Sequence, residues 1–559
     1  MSALFDPEQR LNSRIHAPVD RRPRVAIAHR ALVVALLFAL IYNLPNLIYP
    51  FFEDTALFAT IGHWMHFHLL PYRDLFDQKP PAIYWLTWAV SGTLGDSSLA
   101  TRAVELGFIL VTSLACGLSV RPRRRPWAGA LAVIFAGALS SSMLWGLPDR
   151  GQVEFYQATL MSLGALFLAR FLSEPQPEGG NLLASGFFLA LACWLKPQAA
   201  IFALGVAAIV TARALKRRQP RRLPAQLLLL AAGAALASGP FLLWLKATGT
   251  WNGFVHTLFG TDIAYVNHTP WPPLIIVLLV LKPFRLPGLP AFLILLLMTV
   301  GLLRTMKRDS NERWLGALLA VWLVSTALQF WSGHYLFDYQ KAVMMPPVAI
   351  LSALGLALIA GRAARLVRHA SLRSFLAVAI VVLFVVPITL DAHWIADAGD
   401  FALWTAGRLS TTELYLRHGR EQGYFDYSRQ LATARFVRAH TTPQDKVQII
   451  GRAAVFYLYV HRRPATPFLI TSTALDLSRP GQPRLFNSFI KDLRRSRPSY
   501  ILVRTDDAFP WFRLPTSLKM VRDDPELSRF LRRSYEYVGP LETSFLLFHR
   551  STQGPSQGE

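Results

Sequence analysis

Cysteine is almost absent from this chain. Its 559 residues include two, Cys116 and Cys193, both inside apolar stretches. Two thiols so placed argue against a disulfide framework and against a metal centre built on cysteine. Charge is scarce as well. Asp, Glu, Lys and Arg make up 16% of the residues, against roughly 25% in soluble domains. Hydrophobic residues reach 53% and mean hydropathy is +0.32. That balance excludes an ordinary soluble enzyme and points to a polytopic membrane protein. Acids are the scarcest class, 34 against 58 Lys and Arg, a formal net charge of +24. No internal repeat or long low-complexity region is visible, and the polar, basic first 30 residues show no cleavable signal peptide.

The basic surplus could in principle serve nucleic acid. Here it falls in short clusters between apolar runs: "RRPR" at 21–24, "RPRRR" at 121–125, "KRRQPRR" at 216–222, "RTMKRDSNER" at 304–313 and "RAARLVRHASLR" at 362–373. Such clusters read as cytoplasmic loops that orient spans, so no nucleic-acid partner is expected. Between any two clusters the chain must cross an even number of times. With segment 1–30 cytoplasmic, spans are expected at 31–49, 101–119, 127–146, 155–171, within 182–214 as a hairpin, then at 225–245, 286–303, 314–332, 344–360 and 374–391. The total is about eleven crossings, each near the length a bilayer requires.

This parity makes 50–100 an external loop, with the short aromatic stretch 81–95 lying along the membrane rather than through it. It also makes the tip of the hairpin "WLKPQ", because Lys196 at mid-bilayer would cost about 2.5–3.5 kcal/mol even on the lenient scale. The remainder, 392–559, alternates helix-like and strand-like segments such as "KVQIIG" and "SYILVR", which predicts a small soluble α/β domain outside. The expected fold class is thus an α-helical polytopic membrane domain over 31–391 with a C-terminal α/β domain.

Polar residues now gather on one face: Asp54 in "FFEDTALF", Asp77 and Lys79 in "RDLFDQKPPAIYW", Glu154, Lys196, and His334 with Tyr335 in "GHYLFDYQK". Carboxylates beside lysines at bilayer depth suit a reaction on a lipid-borne anion. Lysine holds phosphate as a point charge. A carboxylate takes a proton from an attacking hydroxyl. Each residue also has a structural use. Asp54 suits a helix N-cap, Asp77 and Lys79 a solvated pair, Lys196 a snorkelling anchor, Glu154 a loop acid, and His334 a structural histidine. A transporter or lipid flippase would place charges at the same depth, but it would tend to show two similar halves. A non-catalytic assembly protein is the third class.

An acid after the first span followed by "YRDLFDQKPPAIYWL" resembles the polyprenyl-phosphate-sugar-dependent glycosyltransferases of the GT-C fold. The pattern is similar to that of aminoarabinose transferases, protein O-mannosyltransferases and rhizobial core sugar transferases. Asp54 takes the place of the family's first acid, and Asp77, Lys79, Pro80 and Pro81 match its Asp-x-Lys-Pro-Pro motif. Glu154, Lys196-Pro197, His334-Tyr335 and "GRAAVFYLYVHRRPATPF" match in order. The usual second acid is Thr55 here, with Glu53 preceding, so Glu53 and Asp54 both stand as base candidates; family spacing favours Asp54.

The resemblance implies an inverting transferase in a bacterial inner membrane with a periplasmic site and C-terminal domain. The donor would be a sugar on a polyprenyl phosphate, and the acceptor a lipid, glycan or protein. Asp54 would be the base, aided by Glu154, and Asp77, Lys79, Lys196, His334 and Tyr335 would bind substrate. The sequence establishes no cofactor, and a divalent metal between the carboxylates is compatible with the residues. Topology is directly testable. In a cysteine-free background, Asp77→Cys and Lys196→Cys are both expected to react with a membrane-impermeant maleimide from the periplasmic side. Labelling of the two from opposite sides would break the shared site.

Overall fold

The structure is a computed structural model and describes residues 22–120, 126–142, 151–174, 178–261, 289–307, 310–333, 338–389, 392–420, 426–471, 483–508 and 515–551. Among these, nine helices are long and apolar enough to cross a membrane, and two shorter apolar helices stand at the other expected crossings. The chain is therefore a multi-pass membrane protein. In order the crossing helices are α1 (Arg22–Asn43), then, after two short helices α2 (Glu53–Met65) and α3 (Ala82–Leu94), α4 (Ser98–Ser119), α5 (Pro126–Ser142), α6 (Val153–Ser173), α7 (Gly179–Leu195), α8 (Ala199–Lys216) and α9 (Leu223–Ala247). The short α10 (Trp251–His256) precedes α11 (Leu289–Met306), α12 (Ser310–Gly333), α13 (Met345–Arg365) and α14 (Ala370–Thr389).

Hydropathy and helix limits differ at the first span. α1 already begins at Arg22, ahead of its apolar run, and a 3₁₀ turn at Leu44–Ile48 with Pro45 in its first turn ends it. The stretch 81–95 is a helix of 13 residues, α3, too short to span. Lys196 follows the last residue of α7 in an extended conformation, and α8 begins at Ala199. The tight α7–α8 turn at Lys196-Pro197 is what the parity reading expected.

The bundle packs partly through backbone contact. α7 and α9 cross so closely that a Cβ on Gly186 would stand 2.1 Å from the Leu230 carbonyl oxygen, and one on Gly233 2.0 Å from that of Leu183. Small residues permit this approach, which lipid-embedded helices need because no hydrophobic force separates helix from lipid.

Beyond α14 come α15 (Ala392–Thr405), α16 (Thr411–Arg420) and α17 (Tyr427–Ala439), and then the C-terminal sheet. Its strands are β1 (Lys446–Ile450), β2 (Arg463–Pro464), β3 (Tyr500–Arg504), β4 (Tyr535–Leu541) and β5 (Phe545–Arg550), in the order β2-β1-β3-β5-β4. The first three are parallel, and β5 runs antiparallel to both β3 and β4. Alternation along the strands splits their side chains between two cores. Val447, Ile449, Leu502, Phe545 and Leu547 join the core that includes α17, α18 (Ala454–Val460), α2 and the membrane helices. Ile450, Ile501 and Val503 face the opposite side, covered by α19 (Pro483–Ser496), α20 (Ser517–Asp523) and α21 (Pro525–Ser534). The sheet is thus held to the membrane body through α18 and α2.

Gly233→Ala should force α7 and α9 apart. Overpacking of this kind costs about 1–3 kcal/mol, read as a lower melting temperature in detergent. Gly239→Ala on the same helix, where a Cβ meets nothing within 4 Å, should melt no lower than the wild-type chain.

Candidate active site

Asp54 is the second residue of α2. The helix begins two residues earlier than an Asp54 N-cap would require: Phe52 occupies the cap, and the Thr55 hydroxyl accepts from the Phe52 N–H at 2.9 Å. Asp54 is half-buried in the first turn, where the helix dipole favours a negative charge. Burial nevertheless dominates and pushes its carboxyl from 3.8 up to about 6. Lys79 pulls the value down, Glu53 and Asp77 push it up, and Arg452 pulls it down. The charges the sequence placed in the external loop therefore do act on one another, and Arg452 joins them from the C-terminal domain.

The loop between α2 and α3 is shaped by two tyrosines. Tyr72, in a left-handed conformation with φ +69°, donates its hydroxyl to the Lys79 carbonyl at 2.5 Å. Tyr84 donates to Asp77 Oδ2 at 2.7 Å, while Asp77 Oδ1 accepts from the Gln78 N–H at 2.7 Å. Prolines 80 and 81 then start α3, with Pro81 as its cap residue. The Phe76 N–H donates to the Pro467 carbonyl at 2.8 Å, which ties this loop to the C-terminal domain. Arg73 and Asp74 pair with each other at 2.7 Å.

Glu154 and Lys196 form a second group. Glu154 is 4% exposed and in the first turn of α6, and its Oε1 accepts directly from Lys196 Nζ. Gln157 holds the turn by donating to the Lys196 carbonyl at 3.3 Å. Two features join this group to the first. Gly151, at φ +81°, lies so close to α2 and α4 that a Cβ would meet Glu105 Oε1 at 2.0 Å and Thr55 Cγ2 at 3.0 Å. The Trp194 ring lies 5.9 Å from Phe254, and Phe254 5.4 Å from Tyr72. Segments 52–55, 72–84, 151–157 and 194–196 thus adjoin at one end of the bundle. His334 and Tyr335 lie outside the described residues.

Two supporting elements escaped the sequence reading. Glu53 Oε1 pairs with Arg452 Nε at 3.2 Å, both residues being less than a tenth exposed. Arg102 and Glu105 form a 2.9 Å ion pair with side chains 1% and 0% exposed. Arg102 also donates to the Pro50 carbonyl at 2.9 Å, and Asn46 to Glu105 Oε2 at 3.2 Å, so the pair fixes the chain leading into α2. Two opposite charges three apart at the head of an apolar helix were a visible signal. The Glu53 partner, on a distant strand–helix connection, was not.

Among the described residues no group of three His, Cys, Asp or Glu converges as a metal site.

The raised carboxyl has a stability consequence. A group with its folded pKa above its unfolded value stabilises the fold below the unfolded value, and loses that contribution as pH rises through the folded one. For Asp54 these are 3.8 and about 6. At pH 8 the ionised side chain is a net cost, so Asp54→Asn should melt no lower than wild type. Glu53→Gln leaves buried Arg452 short of its partner and should lose about 3 kcal/mol. Thermal unfolding of both variants at pH 8 checks the contrast, and a large drop for Asp54→Asn would contradict the burial argument.

Comparison with known proteins bears on the same region. The family described as dolichyl-phosphate-mannose-protein mannosyltransferase matches residues 78–244. ArnT from Cupriavidus metallidurans bound to undecaprenyl phosphate superposes with a TM-score of 0.57 at 14% identity, over 94% of this chain and 98% of that one. The archaeal oligosaccharyltransferase AglB from Archaeoglobus fulgidus, in complex with an inhibitory peptide and a dolichol-phosphate, gives 0.52 at 12% identity, over 94% and 74%. No curated protein sequence matches. The agreement runs over 94% of the chain, and by that course the chain has the GT-C fold.

Proposed function

We propose that this chain is a glycosyltransferase that moves a sugar from a polyprenyl phosphate to an acceptor hydroxyl at the periplasmic face of a bacterial inner membrane. One observation carries the reading. A half-buried carboxylate, Asp54, with its pKa raised to about 6, stands in the field of Lys79. A base and a phosphate-holding cation are thereby side by side where the membrane helices meet the C-terminal domain. The likeness to a structure bound to undecaprenyl phosphate supports the donor class.

In this reading Asp54 accepts the proton of the acceptor hydroxyl as its oxygen bonds to the anomeric carbon. The bond from that carbon to the phosphate oxygen breaks, and the electron pair leaves with the lipid phosphate. That anion is stable without protonation, so one base and cations to hold the phosphate suffice. Attack from the face opposite the phosphate inverts the anomeric centre. Lys79 holds the phosphate. Lys196, already bonded to Glu154, does so by exchanging that partner for the phosphate, which frees the Glu154 carboxylate beside the acceptor. Asp77 acts through the loop, since Tyr84 and the Gln78 N–H occupy its oxygens. His334 and Tyr335, which follow α12 in the sequence, are assigned to substrate binding by the family resemblance alone.

Purified protein with a labelled polyprenyl-phosphate sugar tests this. With Asp54 as the base, kcat/KM should fall about tenfold per pH unit below about 6. Asp54→Asn should lose at least about a hundredfold, in the usual range for a lost general base, and Lys79→Ala should raise KM for the donor. Full transfer by Asp54→Asn would end the base assignment. Donor never consumed by wild type, with any acceptor hydroxyl, would end the transferase reading.

A further inference from the structure

The outward side of the C-terminal sheet carries a feature the proposed reaction does not use. α19, α20 and α21 together hold nine Lys and Arg against three acids. Their apolar side chains turn inward: Phe489, Ile490, Leu493, Val521, Leu527 and Leu531 are all buried under the sheet. Their cations turn out, with Lys491, Arg495, Arg522, Arg529, Arg532 and Arg533 all exposed. Of the acids, Glu526 is paired with Arg494 at 2.9 Å across α19 and α21, Asp492 lies in the field of Arg495 and Lys491, and Asp523 is the last residue of α20. That ion pair links α19 and α21 at the surface, and the exposed cations of both helices accompany it on the side turned away from the sheet core.

The position of this surface matters. Phe489 of α19 meets Phe468 at 6.0 Å, and Phe468 meets Phe76 at 5.1 Å, on the loop that carries Asp77 and Lys79. The basic layer therefore starts beside the candidate site and runs away from it across the sheet. A helix layer that lies on a bilayer exposes bulky apolar or aromatic residues for insertion. Among the described residues of α19, α20 and α21 no large hydrophobic side chain is exposed. The partner this surface fits is an extended, hydrated polyanion.

We infer that the α19–α21 face is a docking track for an anionic glycan, whose acidic or phosphorylated units lie along the arginines while one end reaches the loop at Asp77. That the polyanion is a glycan rests on the transferase reading; that the face binds polyanions does not. Arginine suits such units because its planar fork takes carboxylate or phosphate oxygens in pairs.

The full-length protein in detergent would be titrated with heparin, a sulfated glycan, and with neutral dextran. Binding to heparin should weaken steadily with added salt, and dextran should not bind. The triple variant Arg495→Glu, Arg529→Glu, Arg533→Glu should bind heparin at least tenfold more weakly. An equal charge change at the exposed cluster between α8 and α9, Arg218→Glu, Arg221→Glu, Arg222→Glu, should leave binding unaltered. Arg533→Glu alone serves should the triple variant lose its melting transition. No heparin binding, equal loss in both triple variants, or phosphatidylglycerol vesicles displacing heparin from the face would each overturn the proposal. The last result would make the face a membrane-surface contact. Consumption of the polyprenyl donor, followed separately, reports on the transferase reading whatever heparin does.

Discussion

The first turn of α2 is the constraint on which the rest of this structure depends. Three consecutive residues point to three different supports. Glu53 reaches Arg452 in the C-terminal domain, Thr55 closes the helix cap and packs against Gly151, and Asp54 between them stands in the field of Lys79. A turn tied on both flanks has little freedom to rotate its middle side chain. Holding a reacting group in place before substrate arrives is worth much of a catalytic barrier. The C-terminal sheet region is thus more than an appendage. Its Arg452 is one of the charges that set the behaviour of Asp54, and the Ala454 carbonyl accepts from Thr60 on the buried side of the same helix at 3.0 Å.

Charge neutralisation is unequal across the site. Glu154 and Lys196 already neutralise one another, so that pair is cheap to keep beside apolar helices and costs a partner exchange when an anion enters. Asp54, Asp77 and Glu53 share Lys79 and Arg452, an acid-rich group. This imbalance is one reason a carboxyl there titrates high. It also makes the pocket more hospitable to a substrate that brings a proton, a hydroxyl, than to a second free anion placed beside Asp54. The phosphate is better accommodated toward the lysines.

The sequence exposed the architecture because lipid leaves few choices. A span needs about twenty apolar residues, and a lysine cannot stay at mid-bilayer cheaply. Those two facts placed the α7–α8 turn at Lys196 and kept α3 out of the membrane. Strands β1 and β3 were legible for a different reason, since short apolar segments alternate with helix-like and turn residues there. The supports were less legible. Arg452 meets Glu53 only because β1 and α18 stand against α2, a tertiary fact with no local pattern. Arg102 and Glu105 were local, but the apolar average of their segment hides two charges that cancel each other. Tyr72 and Tyr84 look like interfacial aromatics until their hydroxyls are seen to hold the loop.

In the proposed reaction a general base and its neighbouring cation impose opposite demands. If Lys79 bonded Asp54 as closely as Lys196 bonds Glu154, the carboxylate would be held low and would accept a proton poorly. If burial acted alone, the carboxyl would stay protonated at neutral pH and accept none. A value near 6 arises because burial outweighs Lys79 without cancelling it. It leaves the group largely ionised at neutral pH yet more basic than an ordinary aspartate, the range in which proton transfer is most useful. The loop geometry sets that balance by the distance it gives Lys79. Tyr72 and Tyr84, which both bond the Lys79 carbonyl, therefore tune the base without touching it. Loosening either should shift the pH dependence of the reaction before it abolishes it.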